Sequence, residues 1–242
     1  MRIYIFRLKQ LAFLLFLTLS LMLGIIILTV LRMNAQNAFV GGFIYPSAVI
    51  DPGHGGIDGG AVSASGLAEA PVNLAISFKT RDILRFLGVV SVMTREDENS
   101  LDYDESNTVS QNKSADLKAR LTISQNLPDC DFLSIHLNKF EQSEYKGAQV
   151  FYSSNNEASF LLAECLQQSM RLGLDPSNER KAKESPDSVY LMKNIRSPAV
   201  TIECGFLSNP SEAELLASDR YQTKVAAAVC CGYIDYLEKS DD

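Results

Sequence analysis

Along most of the chain, short apolar runs alternate with longer stretches in which apolar residues recur every three or four positions. Ser47–Asp51, Val89–Thr94, Phe132–His136, Ala148–Tyr152 and Ala199–Glu203 are five or six residues long and mostly apolar, several of them β-branched, and they predict strands. Val72–Leu87, Ala115–Leu127, Glu157–Leu172, Ser211–Leu216 and Ser218–Leu237 carry helical spacing. Pro71 suits the opening of the first helix and Gly173 the end of the third; Ser218 or Asp219 caps the last. Ser188–Met192 reads as one more short strand, and the polar segments 96–114 and 174–188 read as surface loops. Strand–helix alternation of this kind predicts an α/β fold: a single domain with a twisted, mostly parallel sheet flanked by helices.

A different pattern precedes that domain. Leu11 to Leu31 is almost wholly apolar and uncharged, about the 20 residues that a membrane-crossing helix needs. Arg2, Arg7 and Lys9 stand before it, which keeps the short N-terminus in the cytoplasm and exports the rest. The competing reading is a cleaved signal peptide, whose apolar region is usually shorter and ends in a small-x-small site. Ala35 and Ala38 are spaced wrongly for one. The expected organisation is a cytoplasmic stub and transmembrane anchor over 1–34, a linker over 35–46 and a catalytic domain over 47–240.

Charge and cysteine narrow the classes. The only charges before residue 36 are four basic residues, so a net charge of −7 for the chain leaves −11 for the remainder. An acidic exported domain is a poor nucleic-acid binder and gains nothing from long-range attraction to anionic polymers. Five cysteines include no C-x-x-C pair, which argues against a thiolate zinc site; Cys130, Cys165 and Cys204 read as small core residues.

Three of the predicted strands end in ionisable side chains: His54 just beyond the first, His136, and Glu203. The chain has only two histidines, and both are among them. Such strand ends describe a site at one edge of a sheet. Glycines 53, 55, 56, 59 and 60 crowd His54, but their spacing matches no phosphate-binding motif. They read instead as steric permission for a ligand and a metal to approach the backbone. Two imidazoles and one carboxylate are a known donor set for catalytic zinc. The third ligand is Asp58 or Glu69, and Asp58 alternatively braces the loop or a ligand histidine. Glu203 follows a buried-looking run, which suits a general acid/base; a structural pairing with Arg95 or Arg196 is the other reading.

These residues sit in segments that resemble the zinc-dependent N-acetylmuramoyl-L-alanine amidases with an amidase-3 type catalytic domain. The matching pieces are VIDPGHGGIDGGAV at 49–62, SGLAE at 65–69, VMTRE at 92–96, LKARLTISQN at 117–126, SIHLN at 134–138, KGAQVFY at 146–152 and AVTIECGFLSNPSEAELL at 199–216. The resemblance implies Zn²⁺ held by His54, Glu69 and His136, with Glu203 as catalytic acid/base. The implied reaction hydrolyses the amide between N-acetylmuramic acid and the L-alanine of the stem peptide in peptidoglycan. Asn138 is a further candidate for substrate contact and Arg120 for bracing the site. One departure is Ala70-Pro71 after Glu69, where the family often has a basic residue. Autoinhibited members insert a blocking helix between the positions of His136 and Glu203, and the polar 174–188 loop there is too short for one. Within the family the chain is most similar to the germination-specific branch of spore-forming bacteria, which implies a role in spore cortex maturation, before muramic δ-lactam forms, and a location in the forespore intermembrane space. Some members of that branch need an activating lipoprotein. The competing expectations are another zinc hydrolase of wall peptides, a non-catalytic wall-binding protein, and a Cys–His hydrolase using Cys204.

Overall fold

A computed structural model describes residues 47–240, together with Thr18, Ser20, Met22 and Gly24, which are helical. The rest of the expected anchor and the linker at 35–46 lie outside the described residues. No helix among the described residues is long and apolar enough to cross a membrane.

Six strands form one mixed sheet: β1 (Ala48–Pro52), β2 (Ser91–Met93), β3 (Asp131–Asn138), β4 (Gln149–Tyr152), β5 (Lys183–Glu184) and β6 (Ala199–Phe206). Their spatial order is β2-β1-β3-β6-β4-β5. β2, β1, β3 and β6 are parallel, as their alternation with helices requires. The expectation of a mostly parallel sheet needs one refinement at the edge. β4 pairs antiparallel with β6, and β5 follows β4 in parallel, so these two strands run against the others.

Within residues 47–240 the helices are α1 (Glu69–Phe86), α2 (Val109–Asn126), α3 (Ala158–Leu174), α4 (Tyr190–Asn194), α5 (Pro210–Leu216) and α6 (Asp219–Ser240). The larger core lies under α1, α3 and α6. There Ile50, Leu133, Ile135, Val200 and Ile202 of the sheet meet Ile76, Leu84, Leu162, Leu166, Val225 and Tyr233. Full burial of such side chains contributes roughly 1.5–3 kcal/mol each, so this face supplies most of the stability. The opposite face holds a smaller cluster of Val49, Phe132 and Ala199 against Leu191, Met192 and Ile195, with Leu117 and Leu121 of α2 packed beside it.

Further sequence expectations change; within the expected loop 174–188, Lys183–Glu184 forms β5. Ser188–Met192 is not a strand: Tyr190–Asn194 is a short helix whose Leu191 and Met192 close the smaller cluster. The expected loop 96–114 gives way to helix at Val109, six residues early. Thr108 and Gln111 form a reciprocal capping box there. The buried residues of α2 are Asn112, Asp116, Arg120 and Ser124, a polar stripe four residues apart. The helical spacing of Ala115–Leu127 catches the later turns but misses the opening ones, whose only buried residue, Asn112, is polar.

Candidate active site

Side chains alternate across the pleat, so each strand gives one face to the large core and one to the face under α2 and α4. Register aligns the second set into rows. Val49, Phe132 and Ala199 form an apolar row, and Asp51, Ser134 and Thr201 form a polar row two residues further. His136 and Glu203 form the next, with Gln149 on the far side of Glu203. The sheet face thus runs from apolar to ionisable toward the C-terminal ends of its parallel strands. A cleft of about 460 Å³ opens there, lined by His136, Glu203, Ser134, Thr201, Asn138, Phe151, Tyr190 and Met192 among others.

His54 reaches this edge from the glycine-rich loop. Its φ of 62° is left-handed, which is uncommon for a residue with a side chain and marks a constrained position. Mutual hydrogen bonds between Gly55 and Asp58 close a tight turn immediately after it. That turn brings Asp58 Oδ2 to 3.0 Å from His54 Nδ1. Glu69 is the first residue of α1, three positions before the expected helix start, so Pro71 occupies the third position rather than the first. Glu69 N donates to Ala61 O, and Ala61 N donates back to Glu69 Oε2 at 2.9 Å. A register irregularity in β3 between His136 and Asn138 accompanies a hydrogen bond from Leu137 N to Glu69 Oε1 at 3.0 Å.

The three side chains converge. His54 Nε2 lies 3.3 Å from Glu69 Oε2, and His136 Nδ1 lies 3.0 Å from Glu69 Oε1. One donor atom from each falls within 4.8 Å of the others. Burial alone would raise the Glu69 carboxyl, but hydrogen bonds from His136 and His54 hold it far below the usual carboxylate range. Burial opposes charge on His54, yet Glu69 and Asp58 outweigh it and lift that imidazole to about 9. The donor chemistry fits a catalytic zinc: two imidazoles and a carboxylate, the other nitrogen of His54 held by Asp58, and a cleft on the open side. Asp58 therefore stands behind His54, and Glu69 joins the histidines.

Two of the five glycines, Gly53 and Gly60, lie against the site's own side chains. A Cβ on Gly53 would lie 2.2 Å from His136 Cε1, and one on Gly60 would lie 2.7 Å from both Glu69 Oε2 and His54 Cδ2. Their missing side chains make room for the candidate ligand side chains themselves.

Glu203 sits beside His136 on the neighbouring strand. Its Oε2 is sealed from solvent and has no hydrogen-bond partner among the described residues. Burial pushes the carboxyl up to about 7; His136 and His54 oppose the rise and Glu69 adds to it. Arg95 turns to backbone carbonyls, so the expected alternative pairing with Glu203 does not form. Cys204 points into the large core, where burial raises its thiol well above the usual range. It has no route to the cleft as a nucleophile. Asn138 lines the cleft wall.

Arg120 is buried under the loop. It pairs with Asp51 and with Asp116 and donates to Pro52 O at 2.8 Å and His54 O at 2.6 Å. Thr94 and Ser134 hydroxyls donate to the two oxygens of Asp51, each at 2.6 Å. Burial raises the Asp51 carboxyl, but Arg120 and these hydroxyls bring it below its ordinary value. Sequence reasoning missed Asp51, Asn73 and Asp116, and it named Arg95 only as a partner for Glu203 rather than for the loop carbonyls. The one available signal was Asp51, an acid at the end of an apolar strand two residues before the histidine loop.

Comparison with known proteins gives a consistent result. Residues 48–234 match a family model described as N-acetylmuramoyl-L-alanine amidase. The germination-specific N-acetylmuramoyl-L-alanine amidase of Bacillus subtilis is 38% identical over 193 residues, covering 80% of each chain. The CwlD amidase of Clostridioides difficile, solved in complex with the GerS lipoprotein, superposes with a TM-score of 0.77 at 41% identity, over 81% of this chain and 100% of that one. The amidase AmiC2 of Nostoc punctiforme gives 0.67 at 27% identity, over 79% and 96%.

Proposed function

The chain belongs to the N-acetylmuramoyl-L-alanine amidases of the cell wall, and from that premise we propose that it hydrolyses the muramoyl–L-alanine amide with zinc held by His54, Glu69 and His136 and with Glu203 as acid/base. The observation that carries this reading is the row formed by His136 and Glu203: a metal-type ligand and an unpartnered carboxyl oxygen side by side at the cleft floor. Bound zinc supplies Lewis-acid polarisation of a carbonyl and a lowered pKa for water. Glu203 takes a proton from the attacking water and returns it to the departing amine of L-alanine. Asp58 holds His54 in one ring orientation through Nδ1. Arg120 braces the loop from below, and Asn138 contacts substrate from the cleft wall.

The similarity to the germination-specific enzyme supports action on spore cortex, before muramic δ-lactam forms. The relative solved with a lipoprotein supports an activating lipoprotein partner. The apolar segment 11–31 supports a membrane anchor with the catalytic domain exported, and the similarity to the germination-specific enzyme is the support for the intermembrane space of a forespore.

Mass spectrometry of purified peptidoglycan treated with zinc-loaded protein, with and without chelator, tests the reaction. Released stem peptides with a free N-terminal L-alanine are expected, and cleavage within the stem peptide would refute the assignment. Glu203→Gln is expected to retain zinc while kcat falls about 10²–10⁴-fold.

A further inference from the structure

Arg95 follows β2 and is buried. Its hydrogen bonds all go to backbone carbonyls: Nε to Pro52 O at 3.0 Å, Nη1 to Asp97 O at 2.6 Å, and Nη2 to both Gly53 O and Ala70 O at 3.1 Å. Gly53 directly precedes His54, and Ala70 directly follows Glu69. One guanidinium nitrogen therefore ties together the backbone beside two of the three ligating residues. Asn73, one turn into α1, repeats the link: its Nδ2 is 3.2 Å from Gly53 O and 3.2 Å from Glu69 Oε1. The third ligand meets the same residue, because the His136 ring packs into the space a Gly53 side chain would fill. Gly53 is thus where the three ligand-bearing segments meet, and Arg95 and Asn73 hold its carbonyl.

The placement of Arg95 is unfavourable in itself. Burial, with the nearby Arg120, pushes its pKa down to about 10, and no carboxylate forms an ion pair with it among the described residues. A buried cation without a contacting acid is a poor stability device. Its planar fork, which lysine lacks, can hold several carbonyls in one fixed geometry.

We propose that Arg95 and Asn73 are positioning residues for the metal centre: by clamping the Gly53 carbonyl against the first turn of α1, they set the spacing of His54 and Glu69 and hence the affinity for the metal. The proposal rests on the reading of His54, Glu69 and His136 as a zinc site. Groups behind the ligands typically tune metal affinity 10–100-fold. The test measures zinc dissociation constants of the full chain in detergent, by competition with a chromogenic chelator, for the unaltered protein, Arg95→Lys and Asn73→Ala. Circular dichroism restricts the comparison to folded protein, and thermal melts are recorded without metal. Zinc binding about 10–100-fold weaker in both variants, with activity regained at saturating zinc, is the expected result. Folded variants that melt earlier but bind zinc as tightly as the unaltered protein would reduce both residues to a structural role and overturn the proposal. Should Arg95→Lys not fold, Asn73→Ala, which removes no charge, decides by the same two outcomes. An unaltered protein that binds no zinc would sink the metal reading itself, whereas tight binding by all three proteins sinks only the clamp.

Discussion

At the scale of single residues, space matters as much as chemistry. Gly53 bears no functional group, yet its hydrogen marks the seat of the His136 ring. A methyl group at 2.2 Å from Cε1 has nowhere to go, because both carbonyl clamps fix the backbone on the other side. Gly53→Ala is therefore expected to displace His136 and abolish stoichiometric zinc binding while leaving the core folded. Metal content after dialysis, beside an unchanged far-ultraviolet circular dichroism spectrum, checks this. Glu203 illustrates the complementary case, a carboxyl whose value depends on what does not touch it. It lines the cleft while its Oε2 has no hydrogen-bond partner among the described residues, which leaves it free to exchange a proton.

At the scale of elements, the two faces of the sheet follow different rules. α1, α3 and α6 dock through apolar stripes, whereas α2 docks through Asp116 and Arg120 onto Asp51 and the carbonyls of the histidine loop. Asn112 and Asp116 also hold the backbone of Asp104 and Leu101, so α2 anchors the preceding loop as well. Removing one partner of a buried ion pair leaves the other charge uncompensated, at a cost of about 3–5 kcal/mol. Arg120→Met is expected to lower unfolding free energy by that amount, as read by urea denaturation. Simultaneous replacement of Asp51, Asp116 and Arg120 by apolar residues should cost less than the sum of the three single replacements, because these charges compensate one another.

At the scale of the whole molecule, a second buried acid makes stability depend on pH. Asp131 opens β3 at the edge away from the cleft and accepts hydrogen bonds from Tyr233 and Tyr236 of α6. Burial raises its carboxyl from 3.8 to about 6, against the opposing hydrogen bonds from the two tyrosines. The folded state therefore holds a proton that the unfolded chain has already lost between these values. The stabilising contribution is fully present below about pH 4 and is lost as pH rises through about 6, a difference of about 3 kcal/mol. Asp131→Asn removes this titration. The difference in unfolding free energy between the two proteins, measured with chelator from about pH 4 to pH 7, should shift by about 3 kcal/mol in favour of the variant. A difference that stays flat across the range would contradict the assignment, since every other titrating group is common to both proteins.

Local pattern determined a good deal of this protein. Apolar runs located the five longer strands to within a few residues, because the alternation of a pleated strand is written in consecutive positions. The same runs placed His54, His136 and Glu203 at strand ends, whereas β3 and β6 run on to Asn138 and Phe206 and β1 stops at Pro52; the motifs around them carried the family. What local pattern missed is held by contacts between distant segments. The polar stripe of α2 has meaning only against Asp51, 69 positions from Arg120. Arg95 acts through carbonyls 25 and 42 positions away. The register of β3 on β6, which sets His136 beside Glu203, depends on chain segments that must first be brought together. The choice of Glu69 rather than Asp58 at the centre of the site came from the resemblance, because the two acids are equivalent as residue types. In the structure a four-residue turn puts Asp58 behind His54, and a helix start puts Glu69 in front of it. Burial and register are properties of the assembled sheet, and they bring His136 and Glu203, which lie inside β3 and β6 rather than at their ends, together with His54 and Glu69.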